Sequence, residues 1–150
     1  MTNLVDFETQ VKLAVYGFTA DTARVPTIEH VAGRLDTTVA EVRLAYDRLR
    51  SNRVLVLETD RVTIRMAPPF SGVPTQHRVL AAGKEFFANC AWDALGILAA
   101  LHEVGEVHSK CEQSGEALRV PVGAQGPAPV PCVIHFAVPA AHWWDDIVFT

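Results

Sequence analysis

Residues 36–66 read DTTVAEVRLAYDRLRSNRVLVLETDRVTIRM, a helix followed by a hairpin. Thr38 with Glu41 three residues on predicts a capping box, in which each end of the pair satisfies a free backbone N–H of the first turn. Val39, Val42, Ala45 (or Tyr46) and Leu49 then recur at helical spacing as a buried stripe. VLVLE (54–58) and RVTIRM (61–66) flank Thr59-Asp60, a tight-turn signal between two short strands. Upstream, Thr27 predicts the N-cap of a second helix with Ile28, Val31 and Leu35 on one face. Phe7, Val11, Ala14 and Val15 mark an earlier one over 6–17, which Gly17 is placed to end. Three helices and a hairpin in this order form a winged-helix pattern. Arg43, Arg48, Arg50 and Arg53 are the residues that a DNA-binding reading would set against phosphates. Asp36, Glu41 and Asp47 dilute that charge, and the chain carries a net charge of -4, so DNA is not an expected partner.

PPFSGVPTQH (68–77) is rich in turn formers and predicts a boundary. The chain is accordingly read as a winged-helix-like subdomain (1–67), a linker (68–79) and a second subdomain (80–150). In the latter, CAWDALGILAALHEVG (90–105) predicts a helix stopped by Gly105. EVHSKC (106–111) and EALRVPV (116–122) predict strands around a turn, and GAQGPAPVP (123–131) a loop. CVIHFAV (132–138) predicts a third strand. PAAHWWDD turns through Pro139 into a short helix or turn, and IVFT reads as a strand stopped in mid-course, as a processed or shortened chain would end. The expected fold class is α+β, a helical part packed on a mainly antiparallel sheet.

At 150 residues, 49% hydrophobic and 20% charged, the composition is that of a globular protein. No apolar run approaches the roughly 18 residues of a membrane span. MTNLVDFETQ shows no leader pattern, which points to the cytoplasm. Three cysteines, Cys90, Cys111 and Cys132, are then expected as reduced thiols rather than a disulfide framework. There is no glycine-rich phosphate loop, GxSxG elbow or dinucleotide fingerprint, so nucleotide-dependent and serine-hydrolase chemistry find no support.

The chemistry concentrates in FFANCAWDALGI (86–97). With a helix starting near Asn89, Cys90 and Asp93 stand in its first turn on one face. The positive end of the helix favours a thiolate and lowers the cysteine pKa, making a nucleophile or soft-metal ligand. The structural alternative is that Asn89 or Asp93 only caps the helix. His108 and Cys111 form an H-x-x-C pair, but strand alternation sends them to opposite faces, which argues against a structural zinc. Cys132 reads as a core residue, His135 and His142 as surface or satisfied histidines without a nameable partner. Trp143 and Trp144, beside Asp145 and Asp146, read as an aromatic corner over the Pro139 turn.

FFANCAWDALGI together with SKCEQSGEALRV (109–120) resembles the alkylmercury lyase family, whose pattern is an aromatic residue, a short gap and C-x-x-D on a helix, then S-x-C-x-x-[ST]-G-x-x-[LI]. FSGVPT-x-H-x-V (70–79) and PA-x-x-WWDDIVF (139–149) are similar to it as well, and the likeness covers roughly residues 25–150. It implies protonolysis of a carbon–mercury bond to a hydrocarbon and Hg(II), without a cofactor. It casts Cys90 as catalytic thiolate and mercury ligand, Asp93 as catalytic acid and Cys111 as a structural cysteine. Small-molecule thiols would accept the product mercury. The family's second catalytic cysteine falls on Thr150 or just beyond it, so this chain departs from the pattern there. Two rival readings remain: a non-catalytic homologue that binds a soft metal or thiol-reactive ligand through Cys90, and a winged-helix transcription regulator.

Overall fold

The computed structural model describes residues 5–150 and divides the chain into two compact units, which meet in sequence between Ala67 and Pro68. In the first unit, α1 (Phe7–Thr22), α2 (Ile28–Arg34) and α3 (Val39–Ser51) precede a short antiparallel hairpin, β1 (Val56–Leu57) and β2 (Ile64–Ala67). Thr27 and Thr38 cap α2 and α3, and the Thr38–Glu41 capping box is complete. Val11, Val15, Val31, Val42, Ala45, Tyr46 and Leu49 share one apolar core with Leu55 and Ile64. Helix α1 does not stop at Gly17. It continues to Thr22 and ends at Ala23, whose left-handed backbone returns its N–H to Thr19 O at 2.8 Å. A mid-helix glycine costs about 1 kcal/mol, and burial of Val11, Ala14, Val15 and Thr19 on either side outweighs it. Phe7 and Val39, expected in the buried stripes, are exposed, because each is the first residue of its helix and overhangs the core edge. The hairpin strands are shorter than expected, since Asp60 takes the N–H groups of Val62 and Thr63 out of the ladder. Of the four arginines, Arg48 is held by Glu8 at 2.6 Å.

The second unit carries β3 (Phe70–Ser71), β4 (His77–Ala81), β5 (Lys84–Ala88), α4 (Ala91–Leu101), β6 (Gly105–Lys110), β7 (Ala117–Gly123), β8 (Gly126–Pro127) and a 3₁₀ turn, η1 (Ala140–Asp145). Its strands run antiparallel in the order β3-β5-β4-β6-β7-β8, so the α+β reading holds. The stretch expected as a linker, 68–79, is not one: it contains β3 and the start of β4. The β4–β5 hairpin lacks the usual sequence signal because its turn is Ala82-Gly83 rather than an Asn-Gly or Asp-Gly pair. Both residues have positive φ (49° and 73°), the geometry of a two-residue hairpin turn.

The C-terminal strands are corrected too. Cys132–Val138 pairs with no strand, and prolines at 127, 129, 131 and 139 bracket it with residues that cannot donate to a ladder. Cys132 is exposed rather than core. Residues 147–149 form a turn, not a strand, because the Asp146 carboxylate accepts the Phe149 N–H and its carbonyl accepts the Thr150 N–H at 3.1 Å. Among the described residues no helix is long and apolar enough to cross a membrane.

Helix α4 seats Ala94, Ile97 and Leu98 on the sheet face that carries Val79, Ala81, Phe86, Ala88 and Val107. It ends at His102, in the left-handed region, not at Gly105. Gly105 has a different duty: a Cβ there would press on the Leu80 carbonyl oxygen and lie 2.8 Å from Leu98 Cδ2. Gly105→Ala is therefore expected to destabilise the protein by about 1–3 kcal/mol by overpacking the helix–sheet contact, read as a lowered thermal midpoint. Gly17→Ala, where a Cβ meets open space, is expected to hold or raise it by the removal of a mid-helix glycine.

Candidate functional site

The last turn of sequence before α4 is Asn89-Cys90, and Cys90 is the N-cap of the helix, in extended conformation (φ -140°, ψ 174°). Its Sγ accepts the Asp93 N–H at 3.5 Å, and the Asp93 carboxyl group stands near enough for its charge to bear on the thiol. Cys90 thus caps the helix with a thiol where a Ser or Thr hydroxyl would usually stand. Both side chains are half-buried. Sequence spacing placed Cys90 and Asp93 together, and the structure does so, but the electrostatic expectation is reversed. The Cys90 pKa is raised, not lowered: burial penalises the thiolate and the Asp93 charge opposes it, against the helping N–H groups of Asp93 and Trp92. Burial likewise lifts the Asp93 carboxyl to about 6. At rest the pair is a thiol beside a carboxylate that takes up a proton just below neutrality.

Cys111 begins the turn between β6 and β7 and is half-exposed. The Ser114 side chain and the N–H groups of Ser114 and Gln113 hold its pKa below the usual thiol range. It is therefore the more acidic thiol of the two. His108 turns to Glu106, not to Cys111. Among the described residues no group of three His, Cys, Asp or Glu side chains is arranged to hold a metal ion.

The C-terminal segment borders the site. Asn89 Nδ2 donates to the carbonyls of Ile147 (2.9 Å) and Val148 (3.4 Å), so residues 147–148 are fastened to the neighbour of Cys90. Thr150 Oγ1 is bound to the Asp146 carbonyl at 3.0 Å. Trp143 lies against Phe136, with ring centroids 4.5 Å apart, and donates its indole N–H to Val138 O across the Pro139 turn. Trp92 meets the same Phe136 edge-on at 6.4 Å. His142 has a partner after all, Asp145 at 3.0 Å, whereas His135 is exposed. Asn89, Trp92 and Phe136 were not legible as site neighbours: Asn89 reads as a cap, and the two rings read as ordinary apolar residues.

Two outcomes follow from these protonation states. Limited alkylation near neutral pH should label Cys111 before Cys90, with Cys90 labelling accelerating as pH rises, read by peptide mass mapping; faster Cys90 labelling at pH 7 would contradict the geometry. Asp93 binds its proton more tightly folded than unfolded, so its contribution to stability should fall as pH rises from about 4 to about 6 and then level off. Asp93→Asn should remove that slope and gain on the order of 1–2 kcal/mol above pH 7, seen in thermal midpoints across the range.

Against known proteins, the family model described as alkylmercury lyase matches residues 70–150. Among solved structures, the chain is similar to the mercury-bound form of MerB2, at 23% identity and a TM-score of 0.63 over 80% of this chain. That likeness concerns the fold, and the chain spans 59% of the length of that protein. None of the curated protein sequences compared with the chain matches it.

Proposed function

Because the chain belongs to the alkylmercury lyase family, we propose that it captures an organomercurial on Cys90 and cleaves the carbon–mercury bond by protonolysis, with Asp93 carrying the proton. The observation that supports this reading is the Cys90–Asp93 pair in the first turn of α4, where a soft-metal sulfur accepts the Asp93 N–H and the Asp93 carboxyl group acts electrostatically on the thiol. Mercury is soft and prefers thiolate sulfur over nitrogen or oxygen donors.

In the proposed sequence R–Hg⁺ binds Cys90 Sγ as the thiol proton moves to the Asp93 carboxylate. A raised thiol pKa makes that transfer costly without mercury, and metal binding to sulfur supplies the drive, since a coordinated thiol is deprotonated outright. Asp93, now protonated, delivers the proton to the carbon. The carbon–mercury electron pair becomes the new C–H bond, R–H leaves, and Hg(II) stays on Cys90 sulfur. A low-molecular-weight thiolate donates a second sulfur to mercury, raising electron density at the carbon before cleavage and taking the metal away after it. The net change is one proton consumed and one hydrocarbon and one Hg(II) formed, with no redox partner. An Asp93 pKa of about 6 suits both halves of the task, because the group accepts and returns a proton near neutral pH.

Headspace detection of benzene from phenylmercury and methane from methylmercury, with excess small thiol, is the test. Wild type should release hydrocarbon. Cys90→Ser and Asp93→Asn should each lose at least about 100-fold, the usual worth of a general acid–base group. Stoichiometric mercury binding at Cys90 without hydrocarbon would leave a binding protein instead of a lyase.

A further inference from the structure

The first turn of α4, which carries Cys90 and Asp93, also carries an exposed ring that capture and protonolysis do not require. Trp92, between the two reacting residues in sequence, is 56% exposed although it is one of the largest apolar side chains in the chain. Val148 and Phe149 are exposed as well, at 41% and 69%. Exposed large apolar side chains scattered singly need no explanation, but a contiguous set beside a reactive group marks a binding surface.

Trp92 is joined to two further rings by specific contacts, and the backbone at 147–148 is fastened nearby. Phe136 links Trp92 to Trp143 through two ring pairs, at 6.4 Å with planes 70° apart and at 4.5 Å with planes 32° apart. Asn89 ties Ile147 and Val148 to the residue before Cys90. The Asp146 carboxylate orders Phe149 by accepting its N–H at 3.1 Å. Trp143 directs its own N–H to Val138 O, so this cluster meets a ligand with carbon instead of a donor. Aromatic rings meet one another edge-on or offset, a preference beyond simple area burial, so ring faces and edges at the rim favour a planar aromatic guest over a methyl group of small area.

We infer that Trp92 and Phe136, joined by their ring contact at the first turn of α4, form a specificity rim that selects large apolar, above all aryl, groups on the ligand captured by Cys90. The inference rests on Cys90 being the capturing sulfur, as proposed above, but not on cleavage. The rim residues touch the organic group and leave the proton transfer to Asp93.

Two arms test it. In the first, the phenylmercury-to-methylmercury ratio of kcat/KM is measured for wild type, Trp92→Ala, Trp92→Leu and Phe136→Ala, with thermal midpoints confirming that each variant folds. The ratio should fall about tenfold in Trp92→Ala, and less in Trp92→Leu, which keeps apolar area but loses the ring. In the second, Cys90 is alkylated with N-phenylmaleimide and with N-methylmaleimide, each rate divided by that of a free small thiol, and labelling at Cys90 is separated from Cys111 and Cys132 by peptide mapping. Wild type should prefer the phenyl reagent several-fold more than the free thiol does, and Trp92→Ala should lose that preference. Hydrocarbon release with no aryl preference in either arm overturns the rim and leaves the lyase reading standing. Aryl preference at Cys90 without hydrocarbon release overturns the lyase reading and leaves the rim. A preference unchanged by both alanine variants also overturns it.

Discussion

Helix α4 can lie flat on its sheet only because Gly105 offers no side chain, and the second unit depends on that contact. Leu80 O and Leu98 Cδ2 occupy the space a Cβ would need. With the helix seated there, Ala94, Ile97 and Leu98 close over Val79, Phe86, Ala88 and Val107, and the first turn of α4 meets the end of β5. Cys90 sits at that junction, extended like the strand it leaves and capping the helix it starts. Its position is therefore set by two rigid elements, which is how a reactive group is held without a loop's freedom.

Burial at this junction determines the chemistry as much as the residue types do. A thiol at a helix N-terminus in water would be acidified by the dipole. Here desolvation and the neighbouring Asp93 charge dominate, so the resting form is the thiol, and the carboxyl is lifted to about 6. Under the proposed reaction, the proton that Asp93 takes from the sulfur is the one delivered to the leaving carbon. Cys111 shows the contrast: half-exposed, with N–H and O–H donors around its sulfur that outweigh the opposing Glu116 charge, it is the more acidic thiol.

The C-terminal segment shows how polar capping overrides an apolar pattern. IVF alternates like nothing in particular over three residues, and the Asp145-Asp146 pair before it offers a side-chain acceptor for the next N–H groups. That competition between side chain and ladder favours a turn when no strand edge is at hand. The turn is then fastened by Asn89, so a residue read as a helix cap instead joins the chain end to the candidate site.

The local signals were enough for the existence of the first unit's three helices and the Thr27 and Thr38 caps, for β6 and β7, and for the nearness of Cys90 and Asp93, because each depends on neighbours within a few positions: a Thr three residues before a Glu, apolar residues at helical spacing, a Cys and an Asp one turn apart. They were not enough for the Ala82-Gly83 hairpin, whose turn lacks the usual residues, nor for Gly17, where core burial outweighed helix propensity. The direction of the Cys90 pKa, the exposure of Cys132, the tie from Asn89 to residues 147–148 and the Trp92–Phe136 contact were decided by tertiary structure alone. Each depends on which distant groups exclude water or supply a partner, and residues 92 and 136, or 89 and 147, become neighbours only once the chain has folded back on α4.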